Sequence, residues 1–300
     1  SMVIDSHFNV YWKNQEVKTS GIGYVASYPE FRGNGAIRQL MTKSLRDNYE
    51  NGVIFSYLAP FSYAFYEKFG YHYAFNQKHY RLAAQDFPKG KRSAGEISRE
   101  KFEFDDENAS EFSISKNTAL FKVLTEVHQK ADNQGSLIRS PELWSYFFSF
   151  KSQPHCAIYR ENGKALGYLL YEFSEMTFVI KELITLTDEA KQAFYRFISS
   201  HAGSFSEISW QAPSDILLEE ELTEPQRAEI KLVPYMQARI VNLQEFLKVH
   251  GQPNFSVEIT DEIIPENNIS LGEGKREKMT IGQFTAKILK ENQAILREYF

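Results

Sequence analysis

The alternation of hydrophobic and polar positions in the amino-terminal part of the chain predicts short strands and one amphipathic helix. Aromatic and β-branched residues predict strands at 8–12 and 21–28, which the polar turn 13–16 joins as a hairpin. Apolar residues recur every three or four positions from Ile37 to Tyr49, which is typical of a helix with one buried face. The pattern then predicts a buried strand at 53–58, a short helix that ends at Gly70, and an edge strand or hairpin at 71–82. This succession is that of an α/β unit.

The remainder of the chain divides into further stretches. A polar stretch at 85–112 contains proline and glycine and is predicted to be a connector. A second α/β pattern at 113–215 loosely repeats the first without its glycine turn, and 232–300 predicts a small final domain. We therefore predict an α/β fold of mixed α+β character, whose first domain spans 1–84.

Composition argues against several classes of protein. The 300 residues carry a net charge of -5 and show no basic stripe, which argues against nucleic-acid binding. The single cysteine, Cys156, rules out an intrachain disulfide, fits a reduced, cytoplasmic setting, and lies in a predicted strand where we expect it to be buried. No apolar run approaches the ~20 residues that span a bilayer. The histidines lack the spacing of a zinc site, so we expect no metal.

Two glycines stand between the second predicted strand and the first predicted helix. Gly33 and Gly35 lack Cβ atoms, so the backbone can turn tightly and approach a ligand. The unpaired N–H groups at the helix start, together with the charge of Arg32, suit an anion such as a pyrophosphate. An ordinary strand-to-helix turn accounts for the spacing equally well. The sequence lacks the residues of a P-loop and of a dinucleotide-binding turn.

The longer string from Val25 to Met41 resembles the acetyl-CoA motif of the GNAT superfamily, Gln/Arg-x-x-Gly-x-Gly/Ala between an apolar strand and a helix. Glu30 stands at the Gln/Arg position of that motif, whereas Arg32 and both glycines match. The resemblance implies that acetyl-CoA is the co-substrate. It also implies that the pantetheine, the thioester and the pyrophosphate contact the following residues: Val25, Ala26, Ser27, Arg32, Gly33, Asn34, Gly35, Ala36, Ile37 and Arg38.

A downstream Phe-Gly-Tyr sequence resembles the second half of the same fold, where a tyrosine on a short helix faces the thioester sulfur. By position this tyrosine is Tyr66, which could protonate the departing thiolate as a general acid. Alternatively, Tyr66 is a core aromatic beside Phe65 and Phe69, whose spacing predicts a buried stripe. The resemblance also implies contacts with the CoA arm for Phe61 and Ser62, although Ser62 could equally cap the helix.

Several strings further resemble the Eis (enhanced intracellular survival) type acetyltransferases, namely 21–26, 28–33, 60–63 and 69–71. The resemblance implies a second, degenerate GNAT-like domain, a third domain similar to sterol carrier protein, and a hexamer. It implies primary-amine acceptors such as aminoglycosides and lysine side chains, to which we add polyamines. It also implies that the C-terminal carboxylate, here that of Phe300, helps to deprotonate the amine. Hydrophobic docking of the tail explains its final aromatic residues equally well.

The family has an opening strand, two helices and a further strand before the segment at which this chain starts, so we expect one wall of the acceptor pocket to be missing. Our hypothesis is direct acetyl transfer in a ternary complex, with acetyl-CoA bound where the predicted strands 21–28 and 53–58 part. The alternative is a non-catalytic module that binds CoA or a lipid, or acts as a scaffold, on a degenerate acetyltransferase fold. Another acyl donor, such as propionyl-CoA, is also compatible with the sequence.

Overall fold

A computed structural model describes residues 1–103, 114–131, 134–148 and 154–297 of the chain. Contacts between residues divide the chain into two compact units. The first unit comprises Ser1–Asn76, Gln134–Ile138 and Pro234–Leu296, and the second comprises Gln77–Asn133, Arg139–Val233 and Arg297–Phe300. Each unit has its own buried hydrophobic residues. The division into domains at 1–84, 113–215 and 232–300 stays a prediction.

The amino-terminal part of the first unit follows the predicted order of strands and helices. Its elements are β1 (Met2–Trp12), β2 (Gln15–Ala26), α1 (Ala36–Glu50), β3 (Phe55–Leu58), α2 (Tyr63–Glu67) and β4 (His72–Ala83), the last of which continues into the second unit. The predicted hairpin forms between β1 and β2, and Lys13 and Asn14 at its tip adopt the left-handed backbone of a tight turn (φ 48° and 60°). The predicted helix is α1, which buries Met41 and Leu45.

The second unit contains the second predicted α/β pattern. Its elements are β5 (Glu96–Glu100), α3 (Ile114–Lys130), α4 (Pro141–Tyr146), β6 (His155–Glu161), β7 (Lys164–Ser174), β8 (Thr177–Thr185), α5 (Asp188–Ser199) and β9 (Glu207–Pro213). The sheet order is β9-β8-β7-β6-β5, with the later residues of β4 paired to β9. Ser140 and Thr187 cap α4 and α5, because each side chain accepts a backbone N–H three residues later.

One strand of the second unit lies in the stretch predicted as a connector. β5 pairs antiparallel with β6 at the edge of the sheet, from Glu96 opposite Arg160 to Glu100 opposite Cys156. Its sequence is Glu-Ile-Ser-Arg-Glu, which lacks the apolar alternation of a buried strand. Charged edge strands are common, because they discourage pairing with other chains, and they are correspondingly hard to recognise in a sequence.

The last part of the chain completes the first unit. Its elements are β10 (Glu229–Ile240), α6 (Leu243–His250), β11 (Val257–Thr260), β12 (Ile269–Leu271), β13 (Glu277–Thr280) and α7 (Ile281–Glu291), and β10 joins this unit from Pro234 onward. The end of β10 pairs with β3, and β12-β11-β13 form a small sheet in that order. The Thr280-x-x-Gln283 pattern predicts a capping box, and the box is present at the start of α7.

Residues from distant parts of the sequence share the core of the first unit. Trp12 and Phe55 pack against Phe246, with ring centroids 6.0 and 5.7 Å apart, and Phe246 packs against Phe284 at 6.3 Å. Aromatic pairs at these separations add to the stabilisation that burial of their surface provides. The carboxy-terminal segment 234–296 is therefore part of the same body as the glycine turn.

The single cysteine lies in the core of the second unit. Cys156 is 1% exposed, as predicted, and burial raises the pKa of its thiol far above the usual range. In the described ranges, no helix has the length and apolar character needed to cross a membrane. The described side chains also contain no group of three or more histidine, cysteine, aspartate and glutamate residues that could hold a metal ion.

Candidate functional site

Strands β2 and β3 pair as parallel neighbours over a short distance and then separate. Their register runs from Thr19 opposite Phe55 to Gly21 opposite Tyr57, and β2 continues beyond this pairing to Ala26. The separation leaves an opening between the two strands at the carboxyl end of β2. An opening of this kind is where ligands bind in α/β sheets.

An irregularity in β2 lies at this opening. The register between β1 and β2 shifts between Met2 and Ile4, and the backbone of Tyr24 is left-handed there (φ 49°). A bulge interrupts strand pairing and changes the direction of the residues that follow it. The residues that follow Tyr24 are Val25, Ala26 and Ser27, all three of which line a cavity.

The glycine turn connects β2 to the start of α1. Gly33 and Gly35 both have left-handed backbones (φ 83° and 74°), and Gly35 is the N-cap of α1. A Cβ atom at either position would meet no other atom within 4 Å, so the backbone conformation explains the glycines and the surrounding space is open. The N–H groups in the first turn of α1 have no partner within the helix and can bind an anion.

A cavity of about 760 Å³ joins these features within the first unit. Its predicted lining residues are Val25, Ala26, Ser27, Arg32, Gly33, Gly35, Ala36, Ile37, Arg38 and Phe61. Four lining residues were not predicted, namely Ser1, Phe65, Lys68 and Phe69. Asn34 and Ser62 are not among the residues that line the cavity, and Ser62 is the N-cap of α2 without a side-chain capping bond.

The charge around the cavity is positive. Arg32, Arg38 and Lys68 line it together with no carboxylate side chain. Each of the three is exposed, and within the described part of the chain none of them forms an ion pair. Phe61, Phe65 and Phe69 supply an apolar wall, with neighbouring ring centroids 5.3 and 5.6 Å apart. The cavity therefore combines an anion-binding side with an apolar side.

Tyr66 lies on α2, behind the wall of phenylalanines. Its side chain packs among Met41, Leu45 and Leu58, and the residue is 3% exposed. Among the residues that the structure describes, its hydroxyl has no hydrogen-bond partner. Burial raises the pKa of the phenol above its usual value near 10, so the group carries its proton at neutral pH.

The side chains that α2 buries differ from those that the sequence predicts. The spacing of Phe65 and Phe69 predicts that both side chains are buried. Phe65 is instead half-buried and lines the cavity, while Tyr66 is buried and does not line it. The prediction is wrong for Phe65 because a helix of five residues is too short for a periodic pattern to fix its orientation.

A polar network under β1 and β2 ties α1 to the sheet. Asp5 accepts hydrogen bonds from Ser20 and Asn48 (each 2.7 Å) and from Ser44. Ser20 lies 3.2 Å from the hydroxyl of Ser56, which lies 2.7 Å from that of Tyr71. This network could not be predicted from the sequence, because its members are far apart along the chain and serines in strands carry no recognisable spacing.

The proposed base, Phe300, lies outside the described residues. The last described residue, Arg297, is held within the second unit. Its side chain pairs with Asp215 at 2.6 Å, and its main-chain oxygen accepts a hydrogen bond from Arg139 at 2.8 Å. Arg139 is buried and also makes a bidentate pair with Glu182, both contacts being 2.7 Å. The chain is thus firmly held directly before its last three residues.

Two segments of the sequence match profiles described as an acetyltransferase (GNAT) domain, at residues 1–74 and 135–240. No curated protein sequence matched the chain. A solved structure from Enterococcus faecalis V583, described as a conserved protein of unknown function and a probable N-acyltransferase, is similar at 30% identity. That comparison covers 99% of this chain and 85% of the other, with a TM-score of 0.80.

Two further solved structures share the fold at lower identity. A GCN5-related N-acetyltransferase from Anabaena variabilis is 21% identical over 98% of this chain and 80% of its own, with a TM-score of 0.76. Eis1 from Mycobacterium abscessus is 16% identical over 99% of this chain and 80% of its own, with a TM-score of 0.73. All three comparisons extend over both units.

Proposed function

Because the chain belongs to the GNAT family of acetyltransferases, we propose that it transfers an acetyl group from acetyl-CoA to a primary amine. The observation that carries this proposal is the cavity of the first unit, where a glycine turn, three cations and an apolar wall meet beside parted strands. Its volume of about 760 Å³ suits a ligand of cofactor size.

The cavity suits the two ends of acetyl-CoA differently. The pyrophosphate would lie at the start of α1, where N–H groups and the helix dipole favour negative charge. Arg32, Arg38 and Lys68 would neutralise its phosphates. The apolar pantetheine would then follow Val25 and Ala26 toward the bulge, with the phenylalanine wall on its other side. We propose this position for acetyl-CoA.

The chemical step that we propose is direct attack of the neutral amine on the thioester carbon. A bond forms between nitrogen and the acetyl carbon, the carbon–sulfur bond breaks, and the sulfur leaves as a thiolate. Tyr66 donates its proton to that thiolate, and the nitrogen loses a proton to water or to the carboxylate of Phe300. The phenol of Tyr66 carries its proton at neutral pH, as a proton donor must. An α-carboxylate is a weak base, with an unperturbed pKa of about 3.5, so it would act mainly by orienting the amine.

We further propose an enzyme of the Eis type, acting in the cytoplasm on aminoglycosides, polyamines or lysine side chains and assembled as a hexamer. The Eis-like strings of the sequence and the shared fold with Eis1 support the subtype. The domain order of a GNAT domain at 1–84, a degenerate one at 113–215 and a sterol-carrier-like one at 232–300 belongs to the same proposal.

A non-catalytic CoA-binding module is the second candidate. The observation that favours it is the burial of Tyr66, which is 3% exposed and does not line the cavity. The two candidates share the ligand and differ in the chemistry, so binding and turnover must be measured separately.

Thermal unfolding with and without acetyl-CoA tests the binding site. A ligand that binds only the folded state raises its stability, so we expect a higher Tm for the wild type. The double variant Gly33→Glu, Gly35→Glu should lose this shift, because its carboxylates would repel the phosphates. Gly163→Glu is the matched control: Gly163 is also left-handed (φ 76°) with open space around it, but lies in the second unit. No shift for the folded wild type would contradict the site.

Turnover is tested by the release of free CoA thiol with a panel of amines. We expect Tyr66→Phe to lower kcat by about 100-fold or more while acetyl-CoA still raises Tm. A wild-type Tm shift without thiol release for any amine class would support the non-catalytic candidate. An unchanged kcat in Tyr66→Phe would contradict the acid role.

A further inference from the structure

Arg239 and Asp261 form a buried ion pair behind the helix that carries Tyr66. Both side chains are fully buried, and Nη2 of the guanidinium donates to the carboxylate. The other terminal nitrogen, Nη1, donates to the main-chain oxygen of Phe69, two residues beyond the end of α2. A buried charge must be paired and hydrogen-bonded, so this guanidinium holds the turn after α2 in a fixed position.

Asp261 is itself fixed by three other donors. Its carboxylate accepts the N–H groups of Ile263 and Ile264 at 3.0 and 3.1 Å, and the amide of Asn267 at 2.9 Å. The loop after β11 is therefore a rigid support for Arg239, and through it for Phe69.

Helix α7 contacts the same turn. A Cβ atom at Gly282 would lie 2.6 Å from the oxygen of Gly70, and one at Gly70 would lie 2.9 Å from Ile281 Cγ2. Both contacts are closer than a Cβ allows, so the two glycines permit the start of α7 to touch the backbone of the turn.

The supported turn is continuous with the backbone of Tyr66. The N–H groups of Phe69 and Tyr71 donate to the main-chain oxygen of Tyr66, at 2.9 and 3.3 Å. The N–H of Gly70 donates to the oxygen of Glu67 at 3.0 Å. A displacement of the Phe69 carbonyl would therefore move Tyr66.

We propose that Arg239 is a positioning residue for acetyl transfer, which fixes the turn after α2 and through it the phenol of Tyr66. This inference rests on the proposed function of Tyr66 as the acid. Arg239 does not line the cavity, so it would act on the geometry of the acid and not on acetyl-CoA. The segment 234–296 would thereby serve catalysis without contacting the substrate.

Arg239→Lys tests the inference while keeping a charge for Asp261. A single ammonium cannot reproduce the planar pair of N–H groups that serves Asp261 and Phe69 together. Lys78→Met is the matched control, since Lys78 also joins a carboxylate, Glu219 at 2.7 Å, to a main-chain oxygen, that of Ile216 at 2.8 Å, in the second unit.

The first measurement is the ¹⁹F NMR spectrum of full-length protein with 3-fluorotyrosine at position 66. We expect Arg239→Lys to shift or broaden this resonance and Lys78→Met to leave it unchanged. An unchanged resonance in Arg239→Lys overturns the inference, whatever the activity of the protein.

The second measurement is a double-mutant cycle on kcat. We expect Arg239→Lys to lower kcat about tenfold, with the acetyl-CoA Kd unchanged, because a displaced acid lowers the rate and leaves binding intact. In the Tyr66→Phe background the same substitution should change kcat by less than about twofold. Equal losses in both backgrounds overturn the inference and leave the acid role intact. If Tyr66→Phe keeps the wild-type kcat, the acid role is overturned, and with it the catalytic purpose assigned to Arg239. This holds even where Arg239→Lys shifts the ¹⁹F resonance of the tyrosine at position 66.

Discussion

Three cations face one cavity with no carboxylate side chain in its lining, and coenzyme A carries a pyrophosphate and a further phosphate. Arg32 and Arg38 belong to the glycine-turn region, whereas Lys68 directly follows α2. Lys68 would therefore add a contact that the glycine-turn motif does not include. The site thus gains charge from two separate parts of the chain.

We expect Lys68→Gln to weaken acetyl-CoA binding by about 1 kcal/mol, or roughly fivefold in Kd, with kcat little changed. Isothermal titration at low and high salt checks this, because an exposed phosphate contact weakens as salt rises. Lys43→Gln is the charge-matched control, since Lys43 is exposed on α1, pairs with Asp47 and does not line the cavity. Equal losses in the two variants would mean that only net charge matters.

The pH profile should reflect the burial of Tyr66. Burial raises the pKa of the phenol above its usual value near 10, so deprotonation of the acid should lower kcat only above about pH 10. The measurement is kcat against pH for the wild type and for Tyr66→Phe, which should lack this alkaline loss. An alkaline loss near neutral pH that disappears in Tyr66→Phe would contradict the assignment.

Among single residues, the glycine turn and Phe61 could be predicted, whereas Phe65, Phe69 and Lys68 could not. Arg32, Gly33 and Gly35 are close in sequence, so a local motif reveals them. Lys68 and Phe65 reach the cavity through the orientation of a five-residue helix, which tertiary contacts decide. No local sequence pattern determines the orientation of this helix.

At the scale of elements, α6 packs onto β1 through His250. Its ring lies 4.7 Å from that of Phe246 and 5.7 Å from that of Trp12, and the Nζ of Lys13 donates to its main-chain oxygen at 2.8 Å. Burial and then the charge of Lys13 lower the pKa of His250 to about 4. The folded state therefore favours the neutral ring.

This lowered pKa predicts a loss of stability in acid. The unfolded state protonates His250 near its ordinary value of about 6.5, whereas the folded state does so only near 4. The free energy of unfolding should therefore fall as the pH drops from about 6.5 toward 4. Urea unfolding across that range checks this, and His250→Phe, which preserves the aromatic packing, should show a shallower fall. Identical pH dependence in both proteins would contradict the expectation.

The order and type of many elements could be predicted from periodicity and caps. α1, α5, α6 and α7 all carry clear apolar faces or capping residues near their ends. The extent of β1 could not be predicted, because its first residues alternate poorly and depend on pairing with β2. β5 could not be predicted for the same reason, because an edge strand depends on pairing with its neighbour.

At the scale of the whole molecule, the two units should respond differently to acetyl-CoA. The proposed site lies within the first unit, so ligand binding should slow local opening there most strongly. Hydrogen exchange followed by mass spectrometry should show added protection in α1, β2 and α2, and also in β11 and α7 if the turn after α2 couples to them. Similar added protection throughout β6, β7 and β8 would contradict a site confined to the first unit.

The grouping of residues 234–296 with the glycine turn is the feature that sequence analysis could not supply. Their contacts with the first residues of the chain, such as those of Phe246 with Trp12, join positions far apart in sequence. Composition and periodicity describe segments, and contain no information about which segments share a core. Only the three-dimensional fold brings Arg239 to the turn behind Tyr66.

The burial of Cys156 has a practical consequence for assays. A thiol that is 1% exposed and whose pKa is raised by burial presents almost no thiolate to an electrophilic dye. Because it is the only cysteine of the chain, the folded protein should contribute almost no background to colorimetric detection of liberated CoA. The same property allows a single cysteine introduced at an exposed position to accept a fluorophore selectively. Cys156 therefore does not have to be replaced before such labelling.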